Sequence, residues 1–144
     1  MHGVKPDPNI REPMRWDRDP HEPGETSWEP APDNASPALS VAAERAEPRS
    51  LLSLYRRLIH WRMELPALRD GGIAPFPADG DAISAYVRAD RSQRLLVIHN
   101  LSGTARSITL PGGRFREVIR RTRRGTRLVG RKLTMPAYST AILR

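Results

Sequence analysis

Cysteine is missing from all 144 residues, which excludes disulfides and thiolate-bound metals. Long apolar runs are missing too. The longest extend only a few residues, against the roughly 20 needed to cross a bilayer, so no membrane partner is expected. The opening MHGVKPDP has no apolar core of a secretory leader, and a cytoplasmic location is the expectation. The four histidines, His2, His21, His60 and His99, share no metal-ligand spacing. No Gly-rich phosphate loop, G-x-S-x-G or H-E-x-x-H motif occurs. No metal, no cofactor and no catalytic residue are therefore expected within the chain. His99, beside an apolar run, reads as a satisfied strand histidine.

What is present divides the chain unevenly. Apolar residues make up 38%, enough for one modest core but not for a large enzyme barrel. Residues 1–50 carry 6 Lys/Arg and 10 Asp/Glu, a balance of −4, and residues 51–144 carry 18 and 6, a balance of +12. Only Lys5 and Lys132 of the 24 basic residues are lysine. Nine of the 14 prolines fall in residues 1–48. Each removes a backbone donor and pushes its predecessor out of the α region, so this arm is expected to be long and irregular. Ile10, Met14, Trp16, Trp28 and Val41 within it read either as anchors for another surface or as accidents of a loose tail.

At Ser50 the pattern changes. Ser50 suits an N-cap, and Leu51, Leu54, Tyr55, Leu58, Trp61, Arg62 and Leu65 follow at the spacing of one helical face. The spacing predicts an amphipathic helix over 50–64, stopped by Pro66. Arg62 lies at the edge of the stripe, placed to snorkel or to pair with a carboxylate. After a turn at Gly71–Gly72 the period becomes two. Strands are predicted at 83–88, 95–100 (a central one), 105–110, 114–119, 126–130, 131–135 and 138–144, with Gly112–Gly113 as a hairpin turn. The fold expected is mainly β, an antiparallel β-sandwich of Greek-key type behind one helix and the Pro-rich arm.

The acids of the strand region, Asp79, Asp81, Asp90 and Glu117, read as solvated rather than as an acid/base pair. Nine cations lie between Arg114 and Lys132. Alternation in RFREVIR places Arg114 and Arg116 on one face of a wet strand, and Phe115 and Glu117 on the other. Only Phe115 supplies an aromatic nearby, so nucleic acid is not the expected partner.

Three stretches together resemble a known family: VKPDPNIREPMRW at 4–16, TSWEP at 26–30, and SLLSLYRRLIHWRMELPALRDGG at 50–72. They resemble the end of the α-amylase superfamily, glycoside hydrolase family 13, in its α-glucosidase, oligo-1,6-glucosidase and trehalose-synthase branch. The resemblance implies that 1–48 follows the eighth strand of a (β/α) barrel, that 49–66 is the last barrel helix, and that 72–144 is the all-β C-terminal domain. The family's nucleophilic aspartate, acid/base glutamate and second aspartate sit upstream of the match, and no residue here aligns with them. Arg11, Met14 and Trp16 match the family's R-x-P-M-x-W text, on a loop at the sugar-facing end of the barrel. In a complete enzyme Arg11 is placed to contact substrate or to brace a neighbouring loop.

The expectation is therefore a non-catalytic C-terminal piece that supports a barrel, in cis or in trans, with α-glucans as a further partner. Two alternatives stay open. One is a stand-alone carbohydrate-binding sandwich using Trp16, Trp28 and Tyr86. The other is polyanion or nucleic-acid binding through 114–132. If the first reading holds, the helix should present apolar side chains to solvent and the isolated chain should be marginally stable and prone to self-association.

Overall fold

A computed structural model describes residues 13–26, 28, 36, 39–78 and 81–144. The chain forms two compact units that divide inside one helix, between Arg57 and Leu58.

The first unit is organised by hydrogen bonds rather than by a large core. The Glu25 carboxylate accepts from the backbone amides of Trp16, at 2.9 Å, and Asp17, which fixes a loop over 16–25. The carbonyls of Arg15 and Trp16 accept from the amides of Val41 and Ala42 at 3.0 and 2.9 Å. These are first-turn donors of helix α1, Val41–Ala46, and the next one, Ala43 N, donates to Ser40 Oγ at 3.1 Å. Orphan donors at a helix start need such partners. The expectation of an irregular arm over 1–48 is thus corrected at 41–46. Six residues are too few to show an apolar period, and the carbonyl acceptors that hold its first turn come from Arg15 and Trp16, far upstream in the chain.

Helix α2, Leu51–Glu64, begins where the cap predicts. Ser50 Oγ accepts from Ser53 N at 3.1 Å and donates to Glu44 O at 2.7 Å, while Glu44 Oε2 accepts from Leu52 N at 2.8 Å. Pro66 ends α2 and also starts α3, Pro66–Arg69, where its missing donor costs nothing.

The second unit holds the end of α2, α3 and eight strands: β1 (Gly72–Pro75), β2 (Ile83–Ala89), β3 (Arg94–Asn100), β4 (Arg106–Thr109), β5 (Val118–Arg121), β6 (Arg127–Val129), β7 (Lys132–Met135) and β8 (Ser139–Leu143). They form a five-stranded sheet, β1-β2-β3-β8-β5, and a three-stranded sheet, β4-β7-β6. Every pairing is antiparallel. The mainly-β expectation holds.

Period two places the core. Val87, Leu96, Ile98, Ala141 and Leu143 of the larger sheet meet Ile108, Leu133 and Met135 of the smaller one. Their neighbours of opposite parity, Leu95, Val97 and Ile142, point the other way and pack with Trp61, Leu65 and Ala67 of the helical layer. The run Leu95–Ile98 is buried on both faces for this reason. No helix among the described residues is long and apolar enough to cross a membrane.

The predicted strand at 114–119 needs correction. Pairing begins only at Val118 and carries a register shift before Arg120. The amides of Arg116 and Glu117 both donate to Arg144 O, at 2.7 and 3.2 Å, a pattern no regular ladder makes. Phe115 is buried, edge-to-face with Phe76 at 6.0 Å. Glu117 is exposed and ion-paired to Arg144 at 2.7 Å, so the two do not share a face. Gly112–Gly113 is not a hairpin turn either. β4 and β5 lie in different sheets, and the two glycines, at φ 72° and 62°, route the chain across.

Candidate functional site

A depression opens on the helix-covered face of the larger sheet. It encloses about 240 Å³ between Leu58, Trp61, Arg62 and Leu68 above and Tyr86, Arg88, Val97, His99, Thr140 and Ile142 below. β2, β3 and β8 present Tyr86, Val97, His99, Thr140 and Ile142 on one face because residues of equal parity share it.

Its cations are committed. Arg62 donates to Leu68 O at 2.6 Å and Arg69 O at 3.2 Å. Arg88 donates to Ala67 O and Leu68 O, both at 3.1 Å. Together they supply donors to the carbonyl end of α3, where Ala67 O also accepts from the Gly71 amide at 3.2 Å. Arg62 therefore pairs with carbonyls rather than with a carboxylate, and Arg88, 26 residues away, is its undetected partner. Arg88→Met is expected to lower unfolding stability by about 2 kcal/mol, since a charge-assisted donor pair is lost. Urea titration reads this directly.

His99 bonds Thr140 across the β3–β8 ladder, Nδ1 to Oγ1 at 2.9 Å, and its ring lies 5.8 Å from that of Tyr86. Burial pushes its pKa below the ordinary imidazole value. The unfolded chain then binds more protons than the folded one near and below pH ~6.5. Stability from this group is complete above that pH and falls as the solution is acidified. The drop in melting temperature between neutral and acidic buffer should shrink in His99→Gln.

No Asp or Glu lines the depression, so it holds no carboxylate pair of the kind glycoside hydrolysis uses. Glu64, Asp70, Asp90 and Glu117 of this unit are engaged elsewhere. Glu64 pairs with Arg120 at 2.8 Å and Asp70 with Arg69 at 2.7 Å. Asp90 caps its own turn: the Ser92 amide, with the Ser92 hydroxyl and the Gln93 amide, holds its carboxyl below the usual range. No group of three or more metal-ligating side chains occurs among the described residues.

Arg11 lies outside the described residues. Met14 and Trp16 are exposed in the first unit, and so is Trp28. Tyr86 is half-buried in the depression of the second. The cations of 114–132 are shared between the edge strand β5, the hairpin β6–β7 and their connections, and several are engaged. Arg116 donates to Gly113 O, Arg121 to Thr126 O and Arg123 to Tyr138 O.

Helix α2 carries several exposed apolar side chains. Leu51, Tyr55, Ile59 and Met63 are each about 60% exposed, although helical spacing puts them on one broad stripe. Only Trp61 in this helix is buried. A helix that turns this much apolar surface to solvent is half of an interface.

Comparison with known proteins places these observations. A family model described as the alpha-amylase SusG C-terminal domain matches residues 83–142. Alpha-amylase 3 of Dictyoglomus thermophilum is 30% identical over 103 residues, covering 71% of this chain and 21% of the relative. Trehalose-6-phosphate hydrolase of Bacillus subtilis is 31% identical over 105 residues, covering 72% of this chain and 18% of the relative. The structure of the trehalulose synthase MutB from Pseudomonas mesoacidophila superposes with a TM-score of 0.77 at 27% identity, over 94% of this chain and 25% of that one. The chain thus spans about a fifth of the curated relatives it matches.

Proposed function

We propose that this chain is part of the C-terminal region of an α-amylase-superfamily enzyme of glycoside hydrolase family 13 and acts as the non-catalytic support of a (β/α) barrel, a reading supported by its similarity to that family's C-terminal domains. Residues 1–48 then follow the eighth barrel strand, 49–66 form the last barrel helix, and 72–144 are the β domain behind it. The observation that carries the reading is the exposed apolar stripe of α2. Its side chains suit burial against barrel neighbours, in cis or supplied by another chain. Arg11, Met14 and Trp16 would lie on a loop bordering the sugar site. The complete enzyme would cleave or transfer α-glucosidic bonds with retention, through a covalent glycosyl intermediate.

Two measurements test this. The purified chain should turn over none of maltose, isomaltose or p-nitrophenyl α-glucoside; activity that follows the chain through purification refutes the proposal. A family 13 α-glucosidase barrel prepared without its own C-terminal region should bind the chain. Ile59→Glu combined with Met63→Glu should weaken that association by about tenfold or more, as expected for two apolar anchors at an interface.

A further inference from the structure

Tyr138 is the only non-glycine residue with positive φ among the described residues, at 47°, and it is 65% exposed. A bulky aromatic in this region of backbone space is strained and persists only where its surroundings over-determine it. Here they do. Asn100, 1% exposed, ties two turns together. Its Nδ2 donates to Thr104 O at 2.8 Å, Met135 O at 3.4 Å and Pro136 O at 2.8 Å. Its Oδ1 accepts from Ser102 N and Ser102 Oγ at 3.1 and 2.8 Å. Tyr138 N donates to Ser102 O at 3.1 Å, and Arg123 Nε to Tyr138 O at 3.3 Å. A Cβ on Gly103 would lie 3.2 Å from Tyr138 Oη and 3.7 Å from Cε2 and Cζ, so one side of the ring rests on that turn. The rest is open to water.

A buried amide network thus holds an aromatic ring in a costly conformation whose one visible result is to display it. The rim is polar: Thr104, Arg106 and Arg123 are exposed around it, with Arg106 anchored to Ser102 Oγ at 3.3 Å. We propose that Tyr138 is a stacking platform for a glucose ring of an α-glucan. The weakly positive C–H face of a pyranose suits the negative face of an aromatic ring. Guanidinium and hydroxyl groups at the rim can hydrogen-bond the sugar hydroxyls that such stacking leaves pointing outward. The assignment of α-glucan rests on the function proposed above; the platform geometry does not.

The test is a titration of the 144-residue chain with maltoheptaose, followed by amide and aromatic NMR shifts. Shifts should concentrate at Gly103, Thr104, Arg123 and Tyr138. Tyr138→Phe should keep binding. Tyr138→Gly should lose about tenfold or more in affinity, the usual scale for removing a stacking ring. Its unfolding midpoint should be no lower than that of the parent chain, because glycine relieves the strained φ. This pairing separates lost binding from lost folding. Absence of shifts at saturating maltoheptaose, or unchanged affinity in Tyr138→Gly, overturns the proposal. Equal binding of cellohexaose overturns the α-glucan assignment. Tyr138→Gly that weakens barrel association and leaves glucan binding untouched makes the ring a protein contact, which also overturns it. Barrel association is read by the α2 substitutions and can fail independently.

Discussion

Replacing Asn100 with aspartate is expected to lower unfolding stability by about 4 kcal/mol at neutral pH, the scale of an uncompensated buried charge. The amide nitrogen donates to three carbonyl oxygens, on Thr104, Met135 and Pro136. A carboxylate in its place has no hydrogen to give and sets a negative oxygen among three others. Thr104 O and Pro136 O keep donors in Ser102 Oγ and Ser139 Oγ, at 3.0 and 2.6 Å, so the cost comes chiefly from the buried charge beside them. The acid must then bind a proton more readily in the folded state than in the unfolded one. Acidification should recover part of the deficit, because a protonated carboxyl can donate one bond. Chemical denaturation of Asn100→Asp at pH 7 and pH 5 reads both effects. A loss below about 1 kcal/mol would show that the two turns do not depend on the amide.

Gly71→Ala is expected to cost about 3 kcal/mol, near the upper end of overpacking penalties. Its added Cβ would stand 2.4 Å from Ala67 O and 2.7 Å from Ala89 O. Both are backbone atoms, one in α3 and one at the end of β2, so no side chain can swing aside. Relief requires moving the helical layer off the sheet, which would also disturb the bonds from Arg62 and Arg88 to α3. Gly72→Ala is the internal control. Its Cβ would meet only Ala89 O, at 3.9 Å, an ordinary contact. Thermal unfolding of the two variants side by side should separate them widely; equal melting temperatures would rule out the steric account.

Some of this architecture is legible in the residues themselves. Leu95–Ile98 announces a central strand because burial on two faces leaves no polar position in the run. Ser50 announces a helix because its cap and the apolar stripe behind it are local. Local signals fail where a distant partner decides. Pro111-Gly112-Gly113 specifies a change of direction but not which strands it joins, and the chain uses it to pass between sheets. RFREVIR alternates like a strand, yet its first half is captured by the carbonyl of Arg144, nearly thirty residues on. Arg88 gives no hint that it shares α3 with Arg62, nor Asn100 that it bonds residues 135 and 136. Tyr138 looks like any strand residue until its φ is known. The stretches at 4–16 and 50–72 resemble a known family through their wording, and their composition and spacing alone carry no function.

The position of β8 has a consequence for biosynthesis. It is the last in chain order of the larger sheet's five strands, yet it lies inside the sheet, bonded to β3 on one side and β5 on the other. Until residues 139–143 emerge, β3 and β5 each expose an unpaired edge and the apolar residues that β8 would cover. A nascent chain that has not yet reached β8 therefore holds an open, adhesive slot between β3 and β5. Closure is a late event between segments distant along the chain, the kind of contact that slows folding and invites capture by chaperones or by other nascent chains.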